Sequence, residues 1–339
     1  MHILKIERLD GHDPAAMEAW HDTFLASNCH ERPYATPLML EEMRAQFTAD
    51  LDAQLNLGFS GVVDGEIASV GMCYLPMRDN LDQAFVEVQT HPAFRGRGHG
   101  SAMAGHLEQV AREHGRKVLL TEVAYAYDAP ADGVGTPHAD FATRRGYTFG
   151  LVNVQRVLEL PVDEELLLDL AAEAEPHHRD YTFLQFAGRV PDGIVDSFAA
   201  IIGTLMTEAP MGEIEREPEE FDAARIRADE EVFEKSGRLK FTTVALDRAG
   251  EVAAYSELVL PKHDPGHVYQ WGTLARPQDR GHRLGLATKA RNLLWAQPRL
   301  GEATLVTYNA EVNRHMIGVN EQLGFRPVER IGEFQKRLD

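Results

Sequence analysis

Apolar residues fall into two rhythms along the chain. Alternation predicts strands over Ile3–Leu9, Leu57–Val63, Glu66–Leu75 and Ala84–Thr90, and apolar residues three and four apart predict helices over Asp13–Ala26 and Thr36–Phe47. Asp64-Gly65, set between two apolar runs, reads as a hairpin turn. Next comes the glycine-rich stretch "RGRGHG", Arg95–Gly100, with a long helix behind it. The strand "KVLLTEVAY", a loop rich in Asp, Gly and Pro from Asp128 to Pro137, a short helix closing at Gly146 and the strand "LVNVQRVLEL" complete the first half.

From Pro161 the segment "PVDEELLLDLAAEAEPHH" predicts a connecting helix, after which the order of elements begins again. There is a strand over Tyr181–Phe186, a helix through "DGIVDSFAAIIGTLM", the acidic bend "GEIEREPEE", a helix to Ser236-Gly237, and strands "KFTTVALD", "VAAYSELVL" and "HVYQWGTLARP". The loop "QDRGHRLG" leads into a helix over Leu286–Ala296, the strand "ATLVTYN", a helix over Val312–Leu323 and a last strand "IGEFQKRL". Arg280 stands to the second loop as Arg95 stands to the first, and the strands opened by Lys117 and Glu302 begin at the same distance after their respective arginines. The pair Gly146-Tyr147 falls seven positions further beyond its arginine than Gly324-Phe325 does, which places an insertion in the Asp128–Pro137 loop. Duplication predicts two domains, 1–160 and 180–339, with a connecting helix and linker over 161–179. Strands before helices in each half describe an α+β class, with mixed, mostly antiparallel sheets flanked by helices.

A chain of 339 residues, 44% apolar and 26% charged, can bury two cores. No apolar run approaches the ~18 to 20 residues of a membrane span. The start "MHILKIERLDGHD" lacks the basic-then-apolar order of a secretory signal, so a cytoplasmic location without a membrane partner is expected. A net charge of -19 argues against a nucleic-acid partner and mildly favours a cationic substrate. A phosphate-bearing ligand then needs local cations, and Arg95 and Arg97 supply them. Cys29 and Cys73 read as buried free thiols. His177-His178, His263 and His267 have no metal-ligand spacing and read as surface residues, so no metal is expected.

A glycine-rich turn between strand and helix presents backbone N–H groups and the positive end of the helix dipole to an anion. A P-loop is excluded because no Gly-Lys-Ser/Thr ends the turn. The dinucleotide fingerprint fits poorly, because Gly96, Gly98 and Gly100 are spaced by two and Ser101 fills the place of the third glycine or alanine. The stretch "VQTHPAFRGRGHGSAM" resembles motif A of the GNAT acyltransferase superfamily, Arg/Gln-x-x-Gly-x-Gly/Ala after a strand and a proline-containing turn, with Arg95, Gly98 and Gly100 in the pattern positions. "ARPQDRGHRLGLATKARNLL" resembles the same motif through Arg280 and Gly285, with Arg283 in place of the middle glycine. Two copies in order resemble the tandem GNAT arrangement.

That resemblance implies acetyl-CoA or another acyl-CoA, a pantetheine thioester, held by the loop amides. The implied cofactor residues are Val88, Thr90, Arg95, Gly96, Arg97, Gly98, His99, Gly100 and Ser101 in the first copy. In the second they are Leu274, Arg276, Arg280, Gly281, His282, Arg283, Leu284 and Gly285. The first copy, with the complete motif, is the better site.

Direct attack by an amine is the implied chemistry. An alkyl amine of pKa near 10.4 is only about one part in a few thousand neutral at pH 7, so a base is needed. Glu87 in "FVEVQTHP" and Glu257 in "AAYSELVL" are carboxylates amid apolar strand neighbours, where a raised pKa suits a base. The resemblance also implies a tyrosine acid on the helix before the closing Gly-aromatic pair, but Ala142 and Asn320 stand there. Tyr125 is the first substitute, with Tyr127 and Tyr308 beside it, and a thiolate can leave unprotonated. Asn309 and Asn313 are expected to cap the turn into the last helix.

The resulting expectation is an acyl-CoA-dependent N-acyltransferase that moves an acetyl group to the amine of a small molecule. Two alternatives stay open. One takes its acyl group from an acyl carrier protein and needs a basic docking surface, which a chain at -19 does not advertise. The other is a non-catalytic acyl-CoA binding or sensing protein. The acceptor's identity and the oligomeric state are not legible.

Overall fold

The computed structural model describes residues 4–49, 52–208, 210–214 and 216–338. Ile3, expected to begin the first strand, and Glu215, in the acidic bend, lie outside them. The first half contains β1 (Lys5–Arg8), α1 (Pro14–Asn28), α2 (Leu40–Thr48), β2 (Gln54–Val63), β3 (Glu66–Pro76), β4 (Gln83–Thr90), α3 (His99–Glu113), β5 (Val118–Ala126), α4 (Pro137–Arg144) and β6 (Thr148–Glu159). The second half contains α5 (Glu164–Ala174), β7 (Thr182–Ala187), α6 (Val195–Ile202), α7 (Leu205–Glu208), α8 (Ala223–Lys235), β8 (Arg238–Leu246), β9 (Val252–Pro261), β10 (His267–Ala275), α9 (Leu284–Leu300), β11 (Thr304–Ala310), α10 (Arg314–Gln322) and β12 (Arg326–Arg337).

Two compact units result. The first comprises residues 1–152 with 212–215 and 330–339, and the second comprises 153–211 and 216–329. The division therefore falls within β6 and β12, not at residues 160 and 180. β12 also begins ahead of the expected "IGEFQKRL", since Arg326-Pro327 interrupts the apolar alternation that marks the rest of the strand. The segment 161–179 holds the expected helix, α5. Leu167, Leu170 and Ala174, three and four apart, bury one stripe of α5 against α9 in the core of the second unit.

In the first unit β1 to β4 form an antiparallel meander, and β5 runs parallel to β4. Asp64 and Gly65 both have positive φ, 53° and 88°, the geometry of the tight hairpin turn expected there. Met103, Leu107 and Val110 of α3 pack on Val86, Leu119 and Leu75 on one face of the sheet. Trp20 and Phe24 of α1 with Met43 of α2 pack on Val70 and Met72 on the other. The second unit repeats the plan: β7 to β10 are antiparallel and β11 runs parallel to β10. There α9 covers Leu258, Val268 and Leu305, while α6 and α8 cover Val244 and Tyr255. The α+β class and the mostly antiparallel sheets follow directly from these pairings. Cys73 is buried as expected, but Cys29 is exposed, because it caps the end of α1 beyond the last buried turn. His178 is likewise buried rather than at the surface, its ring 5.0 Å from that of Phe183.

Candidate active site

In the first unit, β4 and β5 pair only at Gln83↔Val118, Ala84↔Leu119 and Phe85↔Leu120, while β4 remains paired with β3 as far as Thr90. From Val86 onward one edge of β4 is thus released, and its backbone polar groups are available to a guest. The released edge runs straight into the glycine loop. Gly96 and Gly98 have φ of 75° and 88°, a left-handed conformation that costs a residue with a side chain roughly 1–2 kcal/mol. A Cβ built on either would meet no atom within 4 Å, so the space above the loop is open. Gly98 caps α3 without a side-chain acceptor, and the first intrahelical bond runs from Ala102 N–H to the Gly98 carbonyl at 3.0 Å. The first-turn amides of His99, Gly100 and Ser101 are therefore left for an anion.

Around this loop, exposed Arg97 lies over the Phe94 ring, 5.6 Å from its centroid, and the buried ring of His99 packs against the same phenylalanine at 6.3 Å. Val88 and Thr90 line the approach: a Cβ on Gly100 would stand 3.0 Å from Thr90 Oγ1 and 3.9 Å from Val88 Cγ1. Arg95 departs from expectation. Its guanidinium turns away from the open side of the loop and donates to the Thr90 carbonyl (3.1 Å), the Ser27 carbonyl (3.2 Å) and Ser27 Oγ (3.3 Å).

The second unit has the same gap and a different loop. β10 and β11 pair only at His267↔Thr304, Val268↔Leu305 and Tyr269↔Val306. A bulge between Gln270 and Thr273 is filled by the Gln270 amide, which donates to the Glu257 carbonyl at 2.7 Å and to Ser256 Oγ at 3.1 Å. Gly281 takes the left-handed conformation at φ 86°, and so does the α9 cap Arg283 at φ 52°, without glycine's tolerance of it. All three arginines are held by carboxylates. Arg283 pairs with Glu173, Arg280 with Glu208, and Arg276 with Asp279 and Asp247, each at 2.7 Å. His282 Nδ1 bonds the His177 carbonyl at 2.9 Å, Leu284 is buried, Leu274 lies opposite Tyr255, and a Cβ on Gly285 would stand 3.8 Å from Thr273.

The family model described as the acetyltransferase (GNAT) family matches residues 17–134, which contain the first loop and its helix. A tandem GNAT protein from the clavulanic acid biosynthesis pathway, solved without AcCoA, superposes with a TM-score of 0.78 at 23% identity, covering 98% of both chains. The first part of the chain matches the GNAT family, and the whole chain shares the fold of a tandem GNAT protein. A GCN5-related N-acetyltransferase from Sphaerobacter thermophilus gives a TM-score of 0.63 at 15% identity, over 98% of this chain and 95% of that one. Another, from Kribbella flavida, gives 0.53 at 12% identity, over 100% and 72%. A comparison with curated proteins finds no match. The family matched by residues 17–134 is one of acetyltransferases. Among the described residues no helix is long and apolar enough to cross a membrane, and no group of three His, Cys, Asp or Glu could hold a metal ion.

The candidate chemical residues separate between the two halves of the chain. Glu87 is half-buried on β4, and burial pushes its carboxyl above the usual range, while the Gln89 amide at 2.7 Å and the Arg32 charge pull it back. It points to the α1 face, as its neighbour Gln89 meets Ser27 of α1, and Val88 and Thr90 point to the α3 face. Glu257 is buried on β9 with Lys240 Nζ 3.1 Å from Oε1, so an ammonium of the chain itself occupies the oxygen that a base would present. Phe233 and Trp271 flank the same ammonium, at 4.5 and 5.9 Å. Tyr125 is buried and donates to the Ala131 carbonyl at 2.7 Å, which ties down the glycine- and proline-rich loop and spends its proton there. Tyr127 and Tyr308 are exposed.

Asn313 caps α10 as expected, accepting from Met316 N–H at 3.2 Å. Asn309 instead accepts from Asn320, and Asn320 accepts from fully buried Lys289 Nζ at 2.6 Å. Sequence reading missed Lys289, Ser27, Gln89, Lys240 and the acids that close the second loop. One signal was available: Asp279 stands immediately before Arg280 where Phe94 stands before Arg95.

Proposed function

We propose that the first unit binds acetyl-CoA, or another acyl-CoA, along the released edge of β4, and that its acyl group passes to the amine of a small molecule by direct attack. The open loop carries this reading: two left-handed glycines, a bare α3 N-terminus and an exposed Arg97 together at the end of a strand released from its neighbour. The pyrophosphate would meet the amides of residues 99–101, and the thioester would lie beside Val86–Thr90 on the α3 face. The bound thioester supplies an activated acyl group with a thiolate leaving group. On the opposite face Glu87 takes the proton of the incoming ammonium, a task that its raised pKa favours. Backbone N–H groups of the released β4 edge are the available donors to the developing oxyanion. Thiolate departs without a dedicated acid, consistent with Tyr125's engagement elsewhere.

Native mass spectrometry of the purified protein with acetyl-CoA, followed by thiol release against a library of primary amines, tests the reading. It is supported by bound acetyl-CoA together with acceptor-dependent CoA release that Glu87→Gln abolishes. Binding without release for any amine would leave a binding or sensing protein, and no binding at all would reduce the resemblance to fold.

A further inference from the structure

Ser27, Gln89 and Arg95 have no part in the reaction as drawn, yet they are joined. Gln89 Nε2 donates to Glu87 Oε1 at 2.7 Å, Ser27 Oγ donates to Gln89 Oε1 at 2.7 Å, and Arg95 Nη2 donates to Ser27 Oγ at 3.3 Å. The direction of the chain is fixed by its ends. Arginine has only donors and an ionised carboxylate only accepts, so the serine hydroxyl and the glutamine amide can satisfy both neighbours in one orientation only. Turning the Gln89 amide over would set its oxygen against the carboxylate and its NH2 against the serine proton. Ser27 is buried at the last turn of α1, where an unmade bond is costly. Arg95 is anchored twice more, on the Thr90 and Ser27 carbonyls, so the start of the chain cannot drift.

We infer that Arg95, Ser27 and Gln89 form a one-way donor chain that aims the Glu87 carboxylate, so that the leading arginine of the glycine loop serves the base on the α1 face and not the phosphates on the α3 face. This inference rests on the proposed role of Glu87. All three are positioning residues. A donor chain of this kind polarises from its cationic end, which strengthens the last bond to the carboxylate. The other groups facing Glu87 are Arg32, from the segment after α1, and Tyr74 of β3, whose phenol is itself pushed up by burial and by Glu87. Neither belongs to the chain. With loop and base mechanically tied at Thr90 and Arg95, ordering of the loop by a bound anion also steadies the base.

The test reads the titration of Glu87 directly, by NMR of the full-length protein carrying 13C-labelled glutamate, with the Glu87 resonance identified by its loss in Glu87→Gln. Gln89→Leu removes the donor to the ionised form and is expected to raise the apparent pKa of Glu87 by about one unit. Ser27→Ala should raise it by less, and the double variant should match Gln89→Leu alone, because one chain is being cut twice. Calorimetry with acetyl-CoA should give the same Kd, within about threefold, for Ser27→Ala and the unmodified protein, since neither Ser27 nor its partner Arg95 faces the phosphates. An unmoved Glu87 titration in folded Gln89→Leu overturns the chain, and so do additive shifts in the double variant. A loss of acetyl-CoA affinity in Ser27→Ala at unchanged Glu87 titration would return Arg95 to the phosphates. A failure of the proposed function itself looks different: acetyl-CoA does not bind, and the Glu87 titration still responds to Gln89→Leu.

Discussion

The two glycine loops, "FRGRGHG" and "DRGHRLG", share a leading Arg-Gly and a closing Gly and end in opposite electrostatic states. In the first, Arg97 rests on an aromatic ring and Arg95 on neutral oxygens. In the second, Arg276, Arg280 and Arg283 are all taken by carboxylates. Surface ion pairs are individually weak, up to about 1 kcal/mol each. An anion entering the second loop must nevertheless displace Glu173 and Glu208 together, about 2 kcal/mol or a factor of about 30 in Kd. The lesson is that a motif built for a phosphate is only as open as the acids around it allow. The same contrast extends into the cores. Lys289 and Asn320 of the second unit occupy the places that the repeat spacing gives to Ala104 and Ala142 in the first, so a buried amine exists on one side and methyl groups on the other.

Substitutions in the two loops and beside them should separate the two units further. The largest effect is expected from Gly98→Glu, which puts a carboxylate where the pyrophosphate should lie and should remove all acetyl-CoA binding measurable by calorimetry. Gly285→Glu should leave binding intact, and circular dichroism would verify both folds. Next, Glu87→Gln should lower kcat by about 10²- to 10⁴-fold, with little change in acetyl-CoA affinity, whereas Glu257→Gln should change kcat by less than about tenfold. Equal losses from the two would erase the functional asymmetry. Third, the double variant Glu173→Gln/Glu208→Gln should raise acetyl-CoA affinity at the second loop by about 30-fold, seen as a second calorimetric site.

The smallest effect concerns pH. Burial pushes the Lys289 ammonium down to about 7 from its ordinary 10.5, so between those values the unfolded chain holds a proton that the fold does not. Stability from this group therefore rises as pH climbs from about 7 to 10.5, and the full burial cost is felt below 7. Lys289→Met should flatten that slope in urea unfolding measured between pH 6 and 9, with its largest gain in stability at pH 6.

Much of the fold was legible because its signals are local. The period of apolar residues, the Asp64-Gly65 turn and the recurrence of the glycine loop at Arg280 each depend on a few neighbouring positions. What escaped depends on contacts between distant residues. α5 read as a connecting helix because its acidic face dominates the sequence, yet its leucines are core residues of the second unit. Arg95 looked like a phosphate ligand because nothing in "FRGRGHG" reveals that Ser27, far earlier in the chain, receives it. Glu257 looked like a base until Lys240, on the adjacent strand, was seen against it. In each case the residue type was read correctly and its partner was not.

Amide hydrogen exchange of the unmodified protein, with and without saturating acetyl-CoA, tests the asymmetry most directly. Slowed exchange is expected at residues 96–101 and along 86–90, with none at 281–285 and 270–275. Protection confined to 281–285 and 270–275 would mean that the second loop, and not the first, holds the thioester.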